Sequence, residues 1–252
     1  MHASPSSNKD SKKTYIMKKK LIWDLPTRLF HWLLVASILG QYVTAELLDD
    51  AVQWHFYIGY FTLGLIVFRV LWGIWGPKYA KFSGFVKGPV AVLEYAKSLF
   101  DRDSLPSVGH NPLGGWFVLL MITLVLIQAV SGLFMTDDIF LDGPLRGMAN
   151  SDVLEIMSSL HHLAFDTLIY VIALHIGASV FHTVFKRQKL IPPMINGNKM
   201  MPEDEEQYYG EPQGIEHSKL ARAIVIAILS AAIVYVVVEV IPPEPSVGQY
   251  YY

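Results

Sequence analysis

The chain has 252 residues, of which 52% are hydrophobic and 17% charged, with a formal net charge of -2. Soluble domains carry roughly 25% charged residues, so the deficit points to the lipid bilayer as solvent; no nucleic-acid partner is expected. Cysteine is absent, which excludes disulfides, iron–sulfur clusters, thiolate metal sites and covalent haem attachment through C-x-x-C-H.

Residues 1–20 read as a disordered basic tail, and Met17 is a second candidate translation start. Five apolar runs follow: Leu25–Ala45, Trp54–Trp75, Gly114–Met135, Leu160–Phe185 and Leu220–Ile241. Each has about 20 residues, the length that crosses a hydrocarbon core of roughly 30 Å. The first run resembles a signal peptide, with Lys18–Lys20 ahead of it and Val43-Thr44-Ala45 as a cleavage-like site. Its length, and the Arg28 and His31 inside it, favour an uncut span. Between the second and third runs, Pro89–Leu99 is read as a short interfacial helix. An acidic linker, residues 199–217, precedes a fifth span over 218–242, and residues 243–252 form a short tail.

Basic residues fix the expected orientation. Lysines and arginines crowd the N-terminal tail, the connection Pro77–Leu113 and the segment after Lys186, while Glu46–Gln53 and Thr136–Ser159 are acidic. The reading is therefore a multi-pass membrane protein with its N-terminus inside and its C-terminus outside.

Orientation converts sequence position into depth. His31 sits a turn or two in from the inner face and His55 at the outer edge. His161 opens the fourth span from outside, and His175 follows fourteen residues later, roughly 21 Å deeper. Fourteen steps of about 100° fall only about 40° short of four full turns, so both histidines share one face. His55 and His161 thus share the outer level, and His31 and His175 the inner one. This is the arrangement that two haems stacked across a helix bundle require, each iron with two axial imidazoles. A lone intramembrane histidine would more simply bond a neighbouring helix; two depth-matched pairs argue against that for all four. His162 points about 100° away from His161 and is a spare. His182 falls at the inner water interface as a surface or propionate-contacting residue, while His110 and His217 lie in inner loops. Arg69, fourteen residues after His55, shares its face at the inner level, where a haem propionate would supply the anion that a buried guanidinium needs. The alternative is snorkelling to the interface.

The segments "WDLPTRLFHWLLV" (Trp23–Val35), "WHFYIGY" (Trp54–Tyr60), "FRVLWGIWGPKYAKF" (Phe68–Phe82), "GHNPLGG" (Gly109–Gly115) and "LHHLAFDTLIYVIALH" (Leu160–His175) resemble the bacterial cytochrome b561 and nickel–iron hydrogenase b-type cytochrome family. The resemblance covers about Lys20–Asn198. It implies an all-α membrane fold over residues 21–198, a four-helix transmembrane bundle with two haems b, to which this chain adds the fifth C-terminal helix. It places the axial ligands on His31, His55, His161 and His175 and the helix-two arginine on Arg69. Asp166 departs from the family pattern, where an asparagine is common, and the fifth span is a second departure.

The function implied is electron transfer between a periplasmic or membrane redox partner (a hydrogenase, a c-type cytochrome or another dehydrogenase) and the quinone pool. Quinone is a candidate second ligand, with quinone reductase or quinol oxidase activity as a narrower form of the same reading. Two alternatives come from other classes: a haem-free, histidine-lined proton or ion transporter, and a membrane anchor for a periplasmic enzyme.

Overall fold

The computed structural model describes residues 16–101, 107–137, 141–202 and 214–242. It is dominated by helices: α1 Leu25–Tyr42, α2 Val52–Trp75, α3 Phe82–Phe85, α4 Pro89–Lys97, α5 Pro112–Gly132, α6 Ser151–Val184, α7 Ile191–Asn196 and α8 Leu220–Tyr235. A π-turn, Val43–Leu47, extends α1, and another, Val236–Val240, extends α8. Among the described residues, four helical stretches are long and apolar enough to cross a membrane: Val52–Trp75, Pro112–Gly132, Ser151–Val184 and Leu220–Val240. Helix α1, with 18 residues and polar Thr27, Arg28, His31 and Ser37 on it, is not among them. The interfacial helix expected at Pro89–Leu99 is α4.

The helix starts follow from capping chemistry. An N-cap side chain satisfies one of the backbone N–H groups that the first turn leaves orphaned. Asp24 accepts from the Thr27 N–H at 2.9 Å, Asn111 from the Gly114 N–H at 2.7 Å and Asn150 from the Val153 N–H at 3.0 Å. A proline sits in the first turn of α1 and of α5, where its missing N–H costs nothing. Helix α6 begins nine residues before the apolar run at Leu160, because the Asn150 cap and the acid at Asp152 favour a helix start there.

Helix α1 packs on α2, α2 on α5 and α5 on α6, while α8 lies along α2. Helix α6 makes its close backbone approach to α5 and none comparable to α1 or α2. A slot is therefore left between α6 and the α1–α2 pair. An apolar belt closes the middle of the bundle: Phe30, Leu65, Ile66, Ile122, Val125 and Leu168 are all buried together. A second cluster joins Trp72 and Ala80 to Ala223 and Ile226 of α8.

Two findings were not foreseen. Strand β1, Met17–Leu21, pairs antiparallel with β2, Asn198–Pro202, with Met17 opposite Pro202 and Leu21 opposite Asn198. The expected tail and linker therefore give up residues 17–20 and 199–202 to a small sheet at one end of the bundle. The remaining tail residues, 1–15, and most of the acidic linker, 203–213, lie outside the described residues.

The second is a buried polar knot. Asp24 and Trp72 are both 0% exposed. The Trp72 indole N–H donates to Asp24 at 3.0 Å, and the Thr27 hydroxyl donates to the same carboxylate at 2.7 Å. Asp24 thus caps α1, anchors α2 and places a negative charge whose field reaches Arg69. Asp24→Ala should lower the thermal unfolding midpoint in detergent by several degrees. The lost cap costs about 0.5–2 kcal/mol, and the buried indole loses its charged acceptor, keeping only its longer bond to the Thr27 hydroxyl at 3.2 Å. An unchanged midpoint would reduce the knot to decoration.

Candidate functional site

The structure brings the four predicted intramembrane histidines together as two facing pairs. The His31 and His175 rings lie 6.4 Å apart, centre to centre, and the His55 and His161 rings 6.5 Å apart. Both pairs reach across the slot, from α1 and α2 on one side to α6 on the other. Leu168 stands seven residues from each α6 histidine, so the apolar belt separates the two levels.

The nitrogen chemistry is readable at the His55/His161 level. His161 Nδ1 lies 3.1 Å from the Gln128 carbonyl oxygen. A carbonyl only accepts, so Nδ1 carries the proton and Nε2 keeps its lone pair. The Ser131 hydroxyl donates to the Ile127 carbonyl at 2.7 Å and its oxygen stands 3.1 Å from the same Nδ1. At His55, Nδ1 is 3.2 Å from Thr44 Oγ1, whose own proton goes to the Gly40 carbonyl at 2.8 Å. Thr44 is therefore the acceptor, and His55 Nε2 also keeps its lone pair. The Gln128 side-chain amide donates to His161 Nε2 at 3.0 Å, the place that a metal ion would take. Gly132 closes the other side: a Cβ there would come within 3.2 Å of the His161 ring.

The His31/His175 level is held by rings rather than hydrogen bonds. His31 Nδ1 is buried with no hydrogen-bond partner among the described residues, and the ring meets Trp32 edge-on at 5.0 Å. The His175 ring stacks on Phe117 at 6.1 Å, with 11° between the planes. Arg69 is close by and only 2% exposed. Its guanidinium lies 4.9 Å over the Phe82 ring, with Phe85 and Phe30 further out, and donates to the Ala80 carbonyl at 3.1 Å. The guanidinium thus reaches past the end of α2 at Trp75 into the connecting segment and is buried there. Part-buried His110 sits between Trp23 and Phe85. Burial pushes its pKa down to about 3, and the charges of Arg69 and His175 add to that effect.

A family model for prokaryotic cytochrome b561 matches residues 22–197. The chain belongs to the prokaryotic cytochrome b561 family. Among its curated relatives, a probable Ni/Fe-hydrogenase B-type cytochrome subunit of Rhizobium leguminosarum bv. viciae is 23% identical over 242 residues, 82% of this chain and 99% of the relative. The protein of the same name from Rhodobacter capsulatus is 22% identical over 221 residues, 73% of this chain and 82% of the relative. No solved structure matches. The cytochrome is thus a multi-pass membrane protein of the b-type haem class, serving electron transport.

The residues of the cytochrome fit that cofactor. Two imidazoles that face one metal ion at about 2.0 Å each have ring centres about 6 Å apart, and both observed pairs meet this distance. Bound there, haem iron supplies one-electron redox chemistry, and the chain supplies ligands, burial and orientation.

His162 is exposed on α6 and faces away from the slot. His182, expected at the inner interface as a surface or propionate-contacting residue, is buried, being 7% exposed, and its Nδ1 stands 3.2 Å from Gln188 Oε1. Sequence reasoning missed Thr44, Gln128 and Ser131, the partners that orient the imidazoles. Their signal was present: Gln128 and Ser131 are rare polar residues in the uncharged run Gly114–Met135.

Proposed function

We propose that this cytochrome carries electrons across the bacterial inner membrane through two bis-histidine haems b. His55 and His161 hold the outer haem and His31 and His175 the inner one, with Arg69 as the propionate partner of the inner haem. The observation that carries the reading is the pair of facing imidazoles at each of two levels, 6.4 and 6.5 Å apart. Ligation by two imidazoles leaves the iron no open position, so the centres relay electrons and do no oxygen chemistry.

The N-terminus is cytoplasmic in this reading, the C-terminus periplasmic, and α1 and α8 complete a five-span topology around a four-helix haem bundle. The curated relatives are named as hydrogenase subunits, so a periplasmic nickel–iron hydrogenase is the proposed electron donor and membrane quinone the acceptor. The apolar belt of Phe30, Leu65, Ile66 and Leu168 between the levels speaks against a transporter, which would need a continuous polar path. Electrons cross such a belt by tunnelling, whereas protons and ions do not.

The test is a count. Pyridine haemochrome analysis of the purified chain should return two haems b, with optical spectra low-spin in both oxidation states. A count of one, or none, would remove the two-level relay.

A further inference from the structure

Helix α6 has two faces of different character. His161, Leu168 and His175 point into the bundle. Stepping about 100° per residue, Asp166, Tyr170, Ala173 and Gly177 fall on the opposite line, with His162 at its edge. All five are exposed, Tyr170 at 76%. A Cβ on Gly177 would meet nothing within 4 Å. Among the described residues, the His162 ring touches only the edge of the His161 ring, and Asp166 has no hydrogen bond or ion pair.

This face lies at membrane depth. His161 is level with Gly132, the last residue of α5, and Asp166 is five residues further in, about 7.5 Å. An unpaired carboxylate turned towards lipid is costly, and such groups are normally paired. An acid and a base stand four residues apart on one line. Below them, Ala173 and Gly177 have the small-x-x-x-small spacing that lets two helix backbones approach closely.

We infer that two copies of this chain associate in the membrane through α6, the His162 imidazole of each copy hydrogen-bonded to the Asp166 carboxylate of the other. A twofold axis along the membrane normal sets the two α6 helices parallel and makes the contact self-complementary, so that each polar residue meets its opposite twice. A different helix would need its own acid and base at matching spacing; a second copy brings them by construction. Because the haem slot lies on the far side of α6, the contact leaves it open.

The chain has no cysteine, so one introduced thiol reports one position. Ala173→Cys and Gly177→Cys in the full chain, oxidised in native membranes, should yield a disulfide-linked species of twice the monomer mass. Ile228→Cys, 66% exposed on α8, should yield at least several-fold less. Adding Asp166→Leu to Ala173→Cys should cut the cross-link several-fold, and the exchange His162→Asp with Asp166→His should restore it. Cross-linking no stronger than at Ile228, or to a protein of another mass, would overturn the dimer. Indifference to Asp166→Leu, or failure of the exchange to restore the link, would overturn the pairing. Haem content measured on the same samples keeps the two readings apart, since a monomer with its haems intact rejects the dimer alone.

Discussion

His161→Ala should leave a protein with one haem instead of two, and His31→Ala should leave the other one. A b-type haem is not covalently attached, so its retention rests on axial ligation, burial and contacts to its edge. The two sites are far enough apart to fail separately. Fourteen residues divide His161 from His175 on α6, about 21 Å, and the belt from Phe30 to Leu168 packs between them without help from either pair. Additivity is expected at such a distance. Difference spectra of the two variants should therefore sum to the spectrum of the parent. His162→Ala is the control, because its ring faces away from the slot; if it abolishes the haem at the His55 level, the ligand assignment on α6 is wrong. Loss of both haems from either single variant would mean that the slot folds only around both at once.

The histidine levels were legible because depth and helical phase are both linear in sequence. Once five apolar runs are drawn and the lysines orient them, His55 meets His161 and His31 meets His175 by arithmetic. The structure adds the one quantity that arithmetic lacks, the lateral distance across the slot. Contacts set by remote or local polar chemistry were not legible. Strand β1 reads "MKKKL", which has no alternation, and its partner lies about 180 residues away in what composition presents as a linker. No periodicity reveals that Trp72 donates to the Asp24 carboxylate that caps α1. The orienting roles of Thr44 and Gln128 were hidden for a different reason: their partners are imidazole nitrogens and backbone carbonyls, and neither leaves a trace in hydropathy.

The inner haem should titrate at a higher midpoint potential than the outer one, and Arg69→Leu should lower the inner value by tens of millivolts. Two features of the chain set the order. At the His55/His161 level both proposed ligands donate from Nδ1, His161 to the Gln128 carbonyl and His55 to Thr44 Oγ1. Such bonds raise the basicity of the coordinating nitrogen and so favour ferric iron. At the inner level His31 Nδ1 is buried without an acceptor, and its imidazole donates less. Arg69 acts in the same direction. Its guanidinium is buried beside Phe30, the neighbour of His31, and a fixed positive charge makes adding an electron easier. A charge at close range in a partly wet site is worth on the order of 1 kcal/mol. For a one-electron couple about 59 mV corresponds to a tenfold change in equilibrium constant, so the expected shift is tens of millivolts. Thr44→Val should do the opposite at the outer haem, raising its potential by removing the Nδ1 acceptor. Redox titration of each variant, with both haems retained, decides the matter. An inner potential unmoved by Arg69→Leu, or a shift confined to the outer haem, would place the arginine's charge elsewhere. With the order as argued, an electron delivered at the His55/His161 level would run downhill to the His31/His175 level.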